Sequence, residues 1–393
     1  MQVILPPQAI ECWQLFSHHI VVLLLRSGDD VPTKKPPTGP REGDEFGYDP
    51  AKAFGRKLAQ GMREFEETAD ERGGFQKLGS ATGVPIMTPI KKRLLEASVA
   101  IRQDDADELA FSHTCLCQCA LPTAKPPDDM LRWEQRQGRA TLLVVAGEVL
   151  DPTTGRFVQL GLPYGPKSRV LLMHLNSEAI RNQSPIIPVE DTMTAFFRRL
   201  MGKTQDGRQI NMLKKQLSAL SAATFRMGIA YEDHAVQVDA KVVGAFDLWF
   251  NKDANQRVLW PSTLRLSLDY YESLTNFAVP LDERAISALS FSAVALDVYC
   301  WLAQRLHRIP PGKAQFIHWP GLQEQFGQGY AELRNFRPFF LRMLKQVKAA
   351  YPEAKIDADK KGLYLWQSPP PVKKRLVPLP STKTLDLKAE EIK

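Results

Sequence analysis

Hydrophobic positions recur at steps of three and four along two basic segments of the chain. In residues 206–227 the stripe consists of Ile210, Leu213, Leu217, Leu220, Thr224 and Met227. In residues 330–351 it consists of Leu333, Phe336, Phe340, Leu344 and Val347. This spacing predicts two amphipathic helices, each with one buried face. In the first of them, Asp206 is placed to cap the start and Gly228 to end the helix.

The opposite faces of these helices carry basic and amide side chains. In the first helix they are Arg208, Gln209, Asn211, Lys214, Lys215 and Ser218. In the second they are Arg334, Asn335, Arg337, Lys345 and Lys348. Lys and Arg neutralise phosphates, whereas Asn, Gln and Arg can pair with base edges in the major groove. A solvated surface helix of the same composition is the alternative, because such helices also display Lys, Arg, Asn and Ser.

Alternating and β-rich stretches predict strands around both helices. Residues 140–160 form a predicted hairpin with a DPTTG turn. Residues 235–250 and 257–260 supply predicted strands after the first basic helix, and residues 264–274 a connecting helix. After the second basic helix, AKIDADKKGLYLW predicts a hairpin whose tip exposes Lys360 and Lys361.

Further apolar runs predict the remaining helices. Residues 168–180 and 189–201 precede the first basic helix, while a long buried helix at 282–308 and a short one at 320–326 precede the second. The chain therefore repeats helix, short helix, basic helix and hairpin. The predicted class is α+β, with two tandem winged-helix domains, a preceding β-hairpin region and disordered termini. The predicted boundaries are 1–50 for a disordered leader and linker, 51–110 for a partly exposed helical segment, 111–163 for the β-hairpin region, 164–275 and 276–368 for the two winged-helix DNA-binding domains, and 369–393 for a disordered Pro/Lys tail.

Composition only slightly narrows the possible binding partners and cellular compartment. The 51 Lys+Arg and 44 Asp+Glu residues give a net charge of +7 and a pI near 9.0, a mild bias towards polyanionic partners. The five cysteines are an odd, sparse set, which indicates a reducing compartment. The apolar residues 20–25 are too few to cross a bilayer, and no signal peptide or membrane partner is expected.

Two motifs imitate functional sites. Residues 161–168 resemble a phosphate loop, but Pro166 precedes Lys167 and only three residues separate the glycines, so ATP binding is not expected. The alternative is a turn before a helix, with Lys167 and Arg169 available to phosphate. His113, Cys115, Cys117 and Cys119 alternate by two, which indicates one face of a buried strand better than a zinc site.

Catalytic motifs are lacking in the sequence. Nicking initiators need a catalytic Tyr and a His-x-His metal pair, and no His-x-His occurs here. Tyr270 and Tyr271 lie in a predicted helix beside leucines, where packing is their expected role. We therefore expect no catalytic residue, no metal, no cofactor and no enzymatic activity.

Four long segments together resemble one protein family. They are GRFVQLGLPYGPKSRVLLMHLNSEAI, DGRQINMLKKQLSALSAA, FDLWFNKDANQRVLWPSTLRLSLDYYESL and DVYCWLAQRLHRI. In this order they resemble plasmid-encoded RepA-type replication initiators, over about residues 111–370. The resemblance implies specific binding to repeated DNA sequences at a plasmid origin, local duplex opening, and recruitment of the host replication initiator and helicase. It also implies a homodimer that exchanges with monomer, in the bacterial cytoplasm in association with plasmid and nucleoid.

Which domain reads bases stays open, so both basic helices and the hairpin tip are candidate DNA contacts. The alternative function is a winged-helix transcriptional repressor, acting on its own promoter and without a role in initiation. A primase or nickase is a third hypothesis, against which the missing motifs argue. An initiator is expected to distort A·T-rich DNA beside its sites, because flexible, weakly paired segments cost least to open.

Overall fold

The computed structural model describes residues 88–151, 154–188, 196, 198, 207–230, 235–245 and 263–373. From Ile90 onwards these residues belong to one compact unit. The predicted leader, residues 51–87 of the helical segment, Asp206, the strand at 257–260 and the tail from 374 lie outside the described residues. Of the predicted helix at 189–201, only Phe196 and Arg198 are described; both are helical, and Phe196 is buried.

Helices and strands alternate along the chain. The first elements are α1 (Pro89–Gln103), β1 (Leu109–His113), α2 (Thr114–Gln118), β2 (Arg132–Gln137), β3 (Ala140–Val145), β4 (Glu148–Asp151), β5 (Arg156–Gln159), α3 (Gly165–Asn182) and β6 (Ile186–Pro188). The central elements are α4 (Gly207–Ala222), β7 (Thr224–Ala230), β8 (Ala235–Lys241), β9 (Val243–Ala245), β10 (Thr263–Leu266), α5 (Leu268–Phe277) and β11 (Ala278–Asp282). The last elements are α6 (Glu283–Leu289), α7 (Ala293–Arg305), a 3₁₀ turn (Leu306–Arg308), β12 (Gln315–His318), α8 (Trp319–Phe326), α9 (Leu333–Ala350), β13 (Ile356–Ala358) and β14 (Gly362–Leu365).

The strands form several small antiparallel sheets. The largest has the order β2-β3-β7-β8, and β4 pairs with β5 in a separate hairpin. Two three-stranded sheets have the orders β6-β10-β9 and β12-β14-β13, so in each the last strand lies between the other two. β1 pairs with β11 and joins the beginning of the unit to its second half. The mixed helix and strand content confirms the α+β class.

The first basic helix is shorter than predicted. It ends at Ala222, and residues Thr224–Ala230 form β7, with Gly228 inside the strand. Phe225, Met227 and Ile229 are buried at every second position, which is strand periodicity. Met227 fits both the helical and the strand period, so the prediction wrongly extended the helix into this strand.

The predicted strand at 140–150 is divided in the structure. β3 and β4 are separated at Gly147, where the chain passes against the end of α4; a Cβ there would lie 2.1 Å from the carbonyl oxygen of Ala222. The hairpin around the DPTTG turn is confirmed as β4–β5.

Two predicted helices have wrong bounds because the sequence analysis did not identify Ser267 and Ser292 as N-terminal caps. Residues 263–266 are a strand, and Ser267 starts α5 by accepting a hydrogen bond from the Tyr270 amide at 3.3 Å. The predicted helix at 282–308 is two helices, because Ser292 caps α7 through the Ala295 amide at 3.2 Å. A side-chain oxygen that satisfies a free amide at the first turn favours a new helix start over continuation.

The cysteine-rich segment is a short helix instead of the predicted strand. The Nδ1 atom of His113 accepts a hydrogen bond from the Cys115 amide at 3.1 Å and so caps α2. Cys115 and Cys119, one turn apart, both face β3, while Cys117 packs in the core that also contains Cys300. These four cysteines are buried free thiols.

Helix α3 lies between the two hydrophobic cores. Its Val170 and Met173 pack with α7, α9 and the β12-β14-β13 sheet, whereas Leu171 and Leu175 pack with α4 and the four-stranded sheet. A buried ion pair crosses at this point: Nε and one terminal nitrogen of Arg169 bind the Asp297 carboxylate on α7 at 2.6 and 2.8 Å. Arg169 is only 4% exposed, so the expectation that it is available to phosphate is wrong.

The remaining donors of Arg169 bind three backbone carbonyls, those of Leu121, Pro122 and Gly165. All five N–H groups of the guanidinium are thereby used. Burial raises the pKa of the Asp297 carboxyl, and the Arg169 guanidinium opposes that rise. Each of the two charges is therefore the counter-ion of the other, which would otherwise be buried unpaired.

Further polar contacts join the half of the unit that contains α3 to the half that contains α7. Arg181 of α3 binds Glu283 of α6 at 2.7 Å. The side-chain amide of Gln135 donates to the Gln325 carbonyl, and that of Gln325 donates to the Gln118 carbonyl, both at 2.9 Å. Gln328 accepts from the Thr123 amide at 2.8 Å.

We expect Asp297→Ala to lower the free energy of unfolding by about 3–5 kcal/mol, because it leaves the Arg169 charge buried without a counter-ion. The double variant Arg169→Met, Asp297→Leu should be more stable than Asp297→Ala, since each carbonyl that Arg169 contacts keeps another donor. Urea denaturation at neutral pH measures both. A cost for Asp297→Ala no greater than that of an exposed substitution would contradict this assignment.

His113 generates a second prediction. Its ring is buried, Nδ1 accepts from the Cys115 amide, and Nε2 therefore carries the proton and donates to Ser273 Oγ at 3.0 Å. Burial lowers the pKa of His113 from 6.5 to about 4. Because the unfolded chain binds the additional proton between these values, the contribution of His113 to stability is complete above pH 6.5 and is lost as the pH falls towards 4.

The expected loss from His113 over this interval is about 3 kcal/mol at most. His113→Asn keeps a capping side chain without a titrating ring. We expect its unfolding free energy to vary less between pH 6.5 and 4 than that of the wild-type protein. Parallel denaturation curves across this range measure the difference, and curves with equal slopes would refute the role of His113.

Candidate nucleic-acid interface

Helix α4 presents one basic polar face. Leu213, Leu217 and Leu220 are buried, as predicted. Of the six predicted contact residues, Arg208, Asn211 and Lys215 are exposed, and Gln209, Lys214 and Ser218 are half-buried. The helix contains no acidic residue, and its basic residues Arg208, Lys214 and Lys215 make the outer surface of its first half positively charged.

Helix α9 has the same design with more charge. Phe336, Phe340, Leu344 and Val347 are buried, while Leu333 is half-buried. Five basic residues and no acidic residue occur between Leu333 and Ala350. The exposed members of the predicted set are Arg334, Asn335, Lys345 and Lys348.

Local contacts differ among these basic residues. Arg334 binds Glu332 beside it, but both side chains are at least half exposed, and such pairs contribute little. Lys348 reaches the Ile356 carbonyl at 3.4 Å and so extends towards β13. Arg334 and Lys345 are thus available to a polyanion, whereas Lys348 also links its helix to the sheet.

Arg337 differs from the other predicted residues because it is engaged inside the protein. Its guanidinium lies 5.2 Å from the ring centre of Trp319 on α8. A terminal nitrogen donates to the Asp359 carbonyl at 3.1 Å. The side chain thus links α9 to α8 and to the hairpin tip, and it acts in positioning.

The hairpin tip is held by Asp359. The Oδ1 atom accepts from the Lys361 and Gly362 amides at 2.7 and 2.9 Å, and the Asp359 amide donates to the Gly362 carbonyl at 3.0 Å. Trp319 Nε1 donates to the same Asp359 carbonyl as Arg337, at 3.1 Å. Lys360 and Lys361 are therefore exposed on a tip whose orientation relative to α9 is fixed.

One basic residue on the outer face of α9 was missed. Arg342 is exposed, with its guanidinium 5.9 Å from the Phe339 ring centre. Arg334, Pro338, Arg342 and Lys345 are spaced by four, four and three residues, so they share one face of the helix. The helical period that predicted the buried stripe therefore also predicts this outer stripe. Arg342 extends the basic surface between the two ends of α9.

Other kinds of site receive no support from the described part of the chain. No group of three or more His, Cys, Asp or Glu residues there is placed to hold a metal ion. Among the helices in the described ranges, none is long and apolar enough to cross a bilayer.

Comparisons with known proteins agree with the family resemblance. Residues 162–320 match the model of a family described as plasmid encoded RepA protein. The resemblance to RepA proteins is therefore confirmed over these residues, which run from the approach to α3 to the start of α8. No curated protein matches the chain.

Two solved structures have a distant likeness to this fold. A crystal structure of SeMet derivatives of domains 2 and 3 of RctB is 11% identical, with a TM-score of 0.42, and the match covers 67% of this chain and 99% of that chain. A crystal structure of RctB domains 2-3 is also 11% identical, with a TM-score of 0.39, covering 64% of this chain and 94% of that chain.

Proposed function

We propose that this protein is a plasmid replication initiator that binds repeated origin sequences specifically, promotes local duplex opening and recruits the host initiator and helicase. The observation that carries the proposal is the RepA family match over residues 162–320, within which α4 presents its basic face. The second basic helix and the lysine tip add positive surface of the kind that tracks a phosphate backbone. We further propose that the protein acts without enzymatic activity, in the bacterial cytoplasm, and exchanges between monomer and homodimer.

The order of elements supports two winged-helix domains. In the second half, α7, β12, α8, α9, β13 and β14 follow one another, and β14 lies between β12 and β13. In the first half, α3, β6, α4, β9 and β10 occur in the same relative order, and β10 lies between β6 and β9. In both, the basic helix precedes the last two strands of its sheet. We assign the DNA-facing role to α4 and α9 on this basis.

Both basic helices are attached to the joint formed by Arg169 and Asp297. α4 packs with α3, and α9 packs with α7, so the ion pair between α3 and α7 restrains the separation of the two basic faces. A fixed separation favours DNA sites repeated at constant spacing over scattered single contacts. This is the mechanism that we propose for recognition of direct repeats.

A footprint of the purified protein on the DNA flanking its own gene tests the proposal, with permanganate to detect unpaired thymines. We expect protection of regularly spaced repeats together with reactive thymines in adjacent A·T-rich DNA. Protection of one promoter-proximal palindrome without melting would instead indicate a repressor. Absence of protection at moderate salt would refute specific DNA binding.

Substitutions on the two helices test the interface itself. We expect Lys214→Ala and Arg334→Ala each to weaken duplex binding without unfolding the protein. For a phosphate contact, the loss should be similar for all sequences, and the salt slope should fall by about one unit. For a base contact, discrimination should fall by roughly 1–3 kcal/mol.

Lys125→Ala is the matched control, because Lys125 is an exposed lysine that belongs to a loop and to neither basic helix, and it is paired with Asp128. Titrations at several salt concentrations should leave its affinity unchanged. If both helix variants bind as tightly as this control, the interface lies on another surface.

A further inference from the structure

Four aromatic residues share the solvent-facing side of the β12-β14-β13 sheet. Ile356, Leu363 and Leu365 are buried in the core on one side of this sheet, and Ile317 packs against the same core. Because successive side chains alternate between the two faces of a strand, Phe316, His318, Tyr364 and Trp366 lie on the other side. His318 is exposed, and the other three rings are half-buried.

These rings form a continuous row across the two strands. The Phe316 ring centre lies 4.6 Å from that of His318 and 4.7 Å from that of Tyr364, its cross-strand partner. Tyr364 and Trp366 are stacked, with ring centres 6.0 Å apart and planes 23° apart. The outer face of an antiparallel sheet is ordinarily polar, so four neighbouring rings there need an explanation.

Structural needs account for part of the row. Phe316 lies over Gly362, where a Cβ would be 2.8 Å from the ring and 2.1 Å from the Ile317 carbonyl oxygen. The Tyr364 hydroxyl donates to Asp359 at 3.2 Å and so supports the hairpin tip. Neither of these contacts involves the ring of Trp366 or that of His318, so they do not explain the two aromatic side chains at the ends of the row.

Lysines surround the row on several sides. Lys355 lies across from Trp366, whose amide donates to the Lys355 carbonyl at 3.0 Å. Lys360 and Lys361 are exposed at the tip beyond Gly362, and Lys313 is exposed just before β12. Of the nearby carboxylates, Asp357 lies across from Tyr364, while Asp359 is occupied by backbone amides. The rim therefore has an excess of positive charge around an aromatic centre.

We infer that this aromatic face binds single-stranded nucleic acid, with bases stacked on His318, Tyr364 and Trp366 and with phosphates near Lys355, Lys360 and Lys361. Stacking on aromatic side chains combined with a basic surround is the chemistry by which proteins hold unpaired strands. A duplex does not suit this face, because its bases are stacked on each other and unavailable to rings. The preference for DNA over RNA rests on the proposed function, in which opening of the origin supplies a free strand.

The test uses the full-length protein and a fluorescein-labelled oligothymidylate, with anisotropy as the readout. We expect the wild-type protein to bind it and Trp366→Ala and Tyr364→Ala each to bind roughly ten-fold more weakly or worse. Trp366→Phe should recover most of the affinity because a flat ring is restored. Phe157→Ala is the matched control, since this ring is 70% exposed on the separate β4–β5 hairpin.

Duplex binding to the footprinted DNA is measured in parallel and should be unchanged in Trp366→Ala and His318→Ala, which leave the contact of Tyr364 with the hairpin tip intact. If Trp366→Ala proves unstable to heat, His318→Ala carries the test, because an exposed ring can be removed without loss of core packing. Strand binding by His318→Ala at wild-type strength would then overturn the inference.

Other outcomes would also overturn the inference. They are failure of the wild-type protein to bind the oligothymidylate, unchanged binding by folded Trp366→Ala and Tyr364→Ala, and wild-type self-association that Trp366→Ala abolishes without any strand binding. Strand binding without specific duplex binding would refute the proposed initiator function and leave the aromatic site standing. Specific duplex binding without strand binding would overturn the aromatic site and leave the proposed initiator function standing.

Discussion

The buried pair between Arg169 and Asp297 is the contact on which the arrangement of the two halves depends. Removing both charges from water costs several kcal/mol per ion, and only close geometry with full hydrogen bonding offsets that cost. Arg169 meets this requirement because its five donors all find oxygen acceptors on α7, at the start of α3 or in the loop after α2.

This rigidity bears on how the protein would meet a curved or straight duplex. Opening the joint would lose about 1 kcal/mol for each glutamine hydrogen bond beside the ion pair, and it would expose core residues of α3 such as Val170 and Met173, each worth roughly 1.5–3 kcal/mol when fully buried. Smooth bending of a short DNA site costs roughly 1–6 kcal/mol. For moderate bends the DNA is therefore the softer partner, and we expect it to conform to the protein. Bending energy would then concentrate in the flexible steps near the bound repeats.

Sequence periodicity predicted the parts of this molecule that depend on local pattern. The buried stripe of α9 and the hairpin tip at Lys360 and Lys361 follow from spacing alone, and both were confirmed. Caps were harder, since Ser267 and Ser292 compete with helical continuation through single hydrogen bonds. Long-range partners could not be predicted: Asp297 is 128 residues from Arg169, and in sequence Arg169 is one basic residue among many.

The same limitation applied to Arg337 and to the aromatic face. Arg337 has the spacing of a surface residue on α9, but its partners Trp319 and Asp359 come from α8 and the tip. In sequence, α8, α9 and β13 all lie between β12 and β14, so only strand pairing brings the rings of these two strands together. Because α9 packs on the inner side of this sheet and the rings lie on its outer side, a duplex on α9 and an unpaired strand on the rings need not compete. Lys360 and Lys361 at the tip border both surfaces, which makes the tip the natural point where a strand leaving a duplex would pass from one to the other.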